Sequence, residues 1–68
     1  MIPFNKSANA KTWETFLLYC EARTEDGNVY KTIDTILIDY DAFHYPGVDA
    51  IAFYDRSKYN LFLLKFAA

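Results

Sequence analysis

The sequence predicts a small all-β domain, an antiparallel four-stranded meander that is curled or closed into a half-barrel. Four short segments are rich in β-branched and aromatic residues, which favour strands. Turn-forming residues separate these segments at 24–28, 41–47 and 55–58. The chain has 68 residues, of which 53% are hydrophobic and 19% aromatic, enough for one core. We therefore expect a single domain spanning residues 1–68.

Residues 1–11 are predicted to form an N-terminal arm. Pro3 disfavours a central strand, and small polar residues follow it. The polar residues are Asn5, Lys6, Ser7 and Asn9.

The first strand is predicted at residues 12–22, where Phe16, Leu18 and Cys20 would share one face. A helix over residues 8–22 is the alternative, because the apolar residues from Trp13 to Cys20 also fall at helical spacing. In that case the fold is α+β, with this helix packed on a three-stranded antiparallel sheet.

The second strand is predicted at residues 29–39, after a tight turn at 24–28 that contains Asp-Gly. Its apolar alternation changes parity between Ile33 and Ile36. We interpret this change as a β-bulge near Asp34, which would also bend the strand.

The two remaining strands are predicted at residues 48–54 and 59–66. A loop over 41–47 ends in Pro-Gly and precedes the third strand, and a polar reversal at 55–58 precedes the fourth. The fourth segment is apolar on both faces, a pattern typical of a strand that is covered on both sides.

Self-association is expected, because so small a sheet leaves edges and one face uncovered. Cys20 is the only cysteine, so no intrachain disulfide can stabilise the domain. We expect a homodimer, formed by edge pairing or by face stacking. The sequence shows neither a signal peptide nor a membrane-spanning segment, and the expected location is cytoplasmic.

Charge is distributed unevenly along the chain. The segment 32–55 contains five aspartates and no lysine or arginine, and it also carries five aromatic residues. Acidic groups around aromatic contact area are typical of protein-binding surfaces, although the aspartates could equally be solvated turn residues. The predicted partner-binding residues are Asp39, Asp41, His44, Tyr45, Asp49 and Tyr54.

Two other functions compete with protein binding. Arg56, Lys58 and Tyr59 could form a small patch for single-stranded nucleic acid, but the basic residues are scattered and outnumbered by acidic ones. Asp39, Asp41 and His44 could hold a divalent ion in a metal-dependent enzyme, yet their spacing matches neither a calcium loop nor a zinc site.

No catalytic residues, cofactor or metal are assigned, because the chain lacks a glycine-rich phosphate loop and a nucleophile elbow. The leading hypothesis is a non-enzymatic protein-binding module. It would act as an inhibitor or accessory factor by occupying a site on a larger macromolecule. By size and composition alone, it looks like small viral or mobile-element proteins that bind a host factor.

Overall fold

A computed structural model describes residues 1–67 and shows an α+β fold. The predicted all-β meander is therefore wrong, because the described residues form three helices and one three-stranded antiparallel sheet. In chain order the elements are β1 (Ile2–Asn5), α1 (Ala10–Ala22), α2 (Val29–Ile38), β2 (Ala42–Tyr45), β3 (Ala50–Phe53) and α3 (Arg56–Phe66).

The sheet has the strand order β1-β3-β2, and both pairs are antiparallel. The predicted N-terminal arm thus contains an edge strand, where Pro3 is tolerated because it lies outside the sheet centre. The central row joins Phe4, Ile51 and His44, which point to the side that the helices cover. The fold is a two-layer sandwich of helices on one sheet face.

Helix α1 replaces the predicted first strand. Its buried residues Trp13, Phe16 and Cys20 recur at helical spacing and form one face of the helix. The alternative helix over 8–22 corresponds to α1, and the predicted strand at 48–54 contains β3. The other two strands, β1 and β2, lie in segments that were predicted as an arm and a loop.

Helix α2 replaces the predicted second strand. The change of parity between Ile33 and Ile36 results from the helical period of the apolar residues. Val29, Ile33, Ile36 and Leu37 are spaced i, i+4, i+7 and i+8, and all four contribute to the core. The Asn28 side chain caps the helix by accepting a hydrogen bond from the Lys31 amide at 3.4 Å. No bulge is needed.

Helix α3 replaces the predicted fourth strand. Tyr59, Phe62, Leu63 and Phe66 turn one face toward the core, while Leu61 and Leu64 are exposed on other faces. The apolar content on both parities of this segment therefore reflects the helical period rather than a doubly covered strand.

The core is dominated by aromatic rings that surround Phe62. This side chain is fully buried and receives rings from the sheet and from two helices. Edge-to-face and tilted pairs of this kind add to the burial of apolar area. The ring centroids lie 5.5 Å away for Phe4, 5.1 Å for Phe16, 5.6 Å for Tyr40, 5.0 Å for Phe53 and 4.8 Å for Phe66.

Asp55 caps α3, and its removal should cost measurable stability. Its carboxylate accepts hydrogen bonds from the amides of Ser57 at 2.7 Å and Lys58 at 3.3 Å. We expect Asp55→Ala to lower the free energy of unfolding by about 1 kcal/mol, as measured by urea denaturation. Asp55→Asn keeps an acceptor and should lose less. Equal losses for the two variants would contradict the capping role.

Among residues 1–67, no helix is both long enough and apolar enough to cross a membrane.

Candidate functional site

The sheet has a second face that no helix of residues 1–67 covers, and we call it the outer sheet face. Strand alternation turns Pro3, Ala52 and Phe43 outward in one row, and Ala50 and Tyr45 in the next. The Tyr54 amide extends the sheet by donating a hydrogen bond to the Asp41 carbonyl at 3.2 Å. The outer sheet face thus consists of Met1, Pro3, Asn5, Phe43, Tyr45, Ala50, Ala52 and Tyr54, of which Asn5 extends the row of Ala50 and Tyr45.

This face has a ridge and a trough. Phe43 and Tyr45 form the ridge along β2, with their ring centroids 4.9 Å apart. Ala50 and Ala52 form the floor of the trough along β3, and Ala52 is only 5% exposed because taller side chains flank it. The trough is a cavity of about 300 Å³ lined by Met1, Pro3, Tyr45, Ala50, Ile51 and Ala52.

The outer sheet face carries no charged side chain; the ionised side chains nearest to it in the described chain lie at its rim. Lys6 and Asp49 form a salt bridge of 3.4 Å at the β1 and β3 end. Asp41 lies at the start of the ridge strand and is exposed. An apolar surface with charge only at its rim resembles the interior of a protein interface.

The predicted partner-binding residues divide between the two sides of the sheet. Tyr45 and Tyr54 lie on the outer sheet face and are 43% and 63% exposed. Asp41 and Asp49 flank the two hairpin strands in the left-handed backbone region, with φ values of 49° and 48°. Aspartate tolerates this conformation better than most residues, so both aspartates also have a backbone role. Asp39 is exposed at the end of α2.

His44 does not belong to this surface, because it points into the core and is only 3% exposed. Its ring lies between Trp13 and Tyr30, with centroids at 5.5 Å and 5.9 Å. The buried Nε2 has no hydrogen-bond partner among the described residues. Burial lowers the pKa of His44, while the carboxylates of Asp34 and Asp49 act in the opposite direction.

The structure does not assemble the metal site considered from the sequence. Within residues 1–67, no group of three or more His, Cys, Asp or Glu side chains is placed to hold a metal ion. His44 faces the core, whereas Asp39 and Asp41 are exposed at the corner between α2 and β2.

The residues predicted for nucleic-acid binding lie at the start of α3. Tyr59 is half-buried and packs against Phe53 at a centroid distance of 5.1 Å. Arg56 lies over the same tyrosine ring at 6.0 Å. The Lys58 ammonium donates to the carbonyl oxygen of Asp39 at 3.4 Å. Stacking on single-stranded bases requires an exposed aromatic face, and Tyr59 is only partly exposed, so nucleic-acid binding through these residues stays a prediction.

Two further titratable features have structural roles. Burial raises the pKa of the Cys20 thiol to about 11, so the nucleophilic thiolate is scarce at neutral pH. On the surface between α1 and α3, the Lys65 ammonium donates to the Tyr19 hydroxyl at 2.9 Å, which lowers the pKa of Tyr19 and raises that of Lys65. Arg23 stacks on the same ring at 3.5 Å.

Sequence reasoning missed most of the ridge and trough. Phe43 was placed in a loop, Pro3 in an arm, and the alanines of β3 drew no attention. The alternation from Ala42 to Tyr45 was the available clue, because it separates Phe43 and Tyr45 from His44.

Comparison of the chain with protein-family models, curated proteins and solved structures found no match.

Proposed function

We propose that this chain is a non-enzymatic protein-binding module that binds its partner through the outer sheet face. The observation that carries the proposal is a sheet face that is apolar except for Asn5 and uncovered by residues 1–67, in a domain whose helices all lie on the other side. Sheets with one face packed on the core usually place polar residues on the other face. Here Phe43, Tyr45, Ala50 and Ala52 occupy those positions instead.

The exposed aromatic side chains supply contact area for such a partner. Phe43, Tyr45 and Tyr54 are 53%, 43% and 63% exposed, which corresponds to about 300 Å² of aromatic surface in total. Burying that surface is worth roughly 7 kcal/mol before the cost of association. Tyrosine and phenylalanine lose little rotamer entropy when they are held in an interface.

The side chains of the outer sheet face indicate which chemical groups its partner should present. The partner should present an apolar protrusion to the trough between Tyr45 and Pro3, and a basic group to Asp41 at the end of the ridge. Asp39, exposed at the same corner, adds negative charge that would attract a basic site. Binding of this kind would make the chain an inhibitor or an accessory factor that occupies a site on a larger protein.

A charge on the ridge should abolish partner binding. We expect Phe43→Lys to reduce capture of the partner from native lysate at least about tenfold, because the lysine would be buried without a counterion. Leu64→Lys is the matched control, since Leu64 is 72% exposed on α3, away from the sheet. Quantitative mass spectrometry of the captured proteins provides the measurement.

The comparison has one outcome that contradicts the proposed face. The proposed face is contradicted if Phe43→Lys captures the same proteins in the same amounts as the wild type; if Leu64→Lys then reduces capture, the binding surface lies on the helices. Circular dichroism of both variants checks that each is folded before capture.

A further inference from the structure

The outer sheet face is self-complementary in shape, because its ridge and its trough lie side by side. We infer that this face binds the same face of a second copy of the chain, an inference that rests on the proposed use of the face for protein binding. The ridge of one copy would fill the trough of the other. The two copies would form an isologous dimer with two-fold symmetry.

The strand register places the large side chains of the ridge, Phe43 and Tyr45, each in the same row as a small one. Phe43 is paired with Ala52, and Tyr45 is paired with Ala50. The two-fold axis would lie between the two stacked sheets, parallel to the strands and midway between β2 and β3. Rotation about this axis places the ridge strand β2 of one copy opposite the trough strand β3 of the other. In that arrangement each aromatic side chain meets the alanine of its own row. Facing sheets about 10 Å apart leave room for one large and one small side chain.

The area is sufficient for a weak dimer. Besides the three aromatic side chains, Met1 is 79% exposed at the wall of the trough. Two copies would together bury roughly 600 Å² of aromatic surface and part of Met1, an area typical of weak, transient association. We therefore expect reversible dimerisation with a dissociation constant that is micromolar or weaker.

Charge does not oppose this arrangement. The two central rows of the outer sheet face, those of Pro3 and Asn5, contain no Asp, Glu, Lys or Arg side chain, so stacking along these rows desolvates no ionised side chain. The rim charges of Lys6 and Asp49 are already paired with each other. The formal net charge of −2 per chain gives only modest repulsion between copies.

Face stacking fits the sheet better than pairing through the β1 edge. Pro3 interrupts that edge, because proline has no amide hydrogen to donate to a neighbouring strand. The other edge strand, β2, also packs against α2.

A size-swap experiment tests the inference. Sedimentation equilibrium from about 5 µM to about 500 µM should show a monomer–dimer equilibrium for the wild type. Ala52→Phe fills the trough and should weaken dimerisation at least about tenfold. Combining Phe43→Ala with Ala52→Phe exchanges the large and the small side chain of that row, so each phenylalanine again faces an alanine, and should restore most of the affinity. Leu64→Phe adds a ring on the outward face of α3 and should behave as the wild type.

Three results would overturn the inference: a wild type that stays monomeric throughout the range, an Ala52→Phe variant that dimerises as the wild type does, or a double variant that is as weak as Ala52→Phe alone. Circular dichroism confirms that each variant is folded. If the wild type is monomeric while Phe43→Lys still abolishes capture of a partner, the proposed function stands and only the second copy is excluded. If Phe43→Lys also leaves capture unchanged, both fail.

Discussion

We expect most molecules of the Phe62→Ala variant to be unfolded at room temperature. Phe62 is fully buried, and five aromatic rings from β1, α1, β3, α3 and the segment after α2 surround it. Truncating a buried phenylalanine to alanine costs about 3–5 kcal/mol. A single core in a domain of this size rarely supplies more than about 3–5 kcal/mol in total. The loss should therefore consume most of the stability of the fold.

Far-UV circular dichroism and urea denaturation provide the measurement, with the helical signal at room temperature as the primary observable. Leu64→Ala on the same helix is the matched control, because Leu64 is 72% exposed and should lose almost nothing. Phe62→Leu keeps most of the volume and should fall between the two. A cooperative transition for Phe62→Ala within about 1 kcal/mol of the wild type would show that Phe62 does not organise the core.

We expect the folded protein to lose stability as the pH falls below the ordinary histidine value of 6.5. Burial lowers the pKa of His44 in the folded state, so the unfolded chain binds the proton more tightly. Above pH 6.5 the imidazole is mostly neutral in both the folded and the unfolded state, so it does not lower the free energy of unfolding. The free energy of unfolding falls as the pH decreases from 6.5 toward the folded-state pKa. The slope from one proton is at most about 1.4 kcal/mol per pH unit.

Replacing the imidazole of His44 tests whether it causes the pH dependence of stability. His44 is the only histidine in the sequence, and most carboxylates titrate near pH ~4, so the pH range between about 5 and 7.5 isolates it. His44→Phe keeps a ring between Trp13 and Tyr30 and removes the unpartnered Nε2. We expect this variant to be at least as stable as the wild type at neutral pH, and insensitive to pH over that range.

The measurement is urea denaturation followed by the fluorescence of Trp13, the only tryptophan, at several pH values. A wild type and a His44→Phe variant with the same pH dependence between about 5 and 7.5 would contradict the assignment.

Strand β2 connects this core histidine to the proposed interface. His44 faces the helices, while its neighbours Phe43 and Tyr45 form the ridge on the opposite side. Protonation that loosens β2 from the core would therefore disorder the ridge as well, since side chains alternate along one strand. Acid sensitivity of folding and of partner binding should run in parallel.

Several properties of the chain follow from its sequence. The aromatic and apolar content in 68 residues predicts a small domain with a dense core, and the structure shows one. The reversals at Gly27 and near Asp55 are present, although they connect helices and a strand to a helix rather than pairs of strands. Tyr45 and Tyr54, two of the predicted partner-binding residues, are exposed, and their role in binding stays a prediction.

The type of each element depended on information that short segments do not contain. Residues 59–66 carry apolar side chains on both strand parities and also at helical spacing, so periodicity alone fits either structure. The segment is helical in the fold, where one face packs on the sheet and the other remains exposed. Residues 29–38 present the same ambiguity.

The candidate site was decided by pairings between residues that are distant in sequence. The trough exists because β1, at residues 2–5, pairs with β3, at residues 50–53, and no local pattern announces that contact. The β2–β3 hairpin turns His44 inward, and the two pairings together bring Pro3, Ala52 and Phe43 into one outer row. The sequence by itself determined that aromatic side chains would outnumber the core positions available to them. Only the tertiary structure decided which of them remain on the surface, because that depends on which sheet face the helices cover.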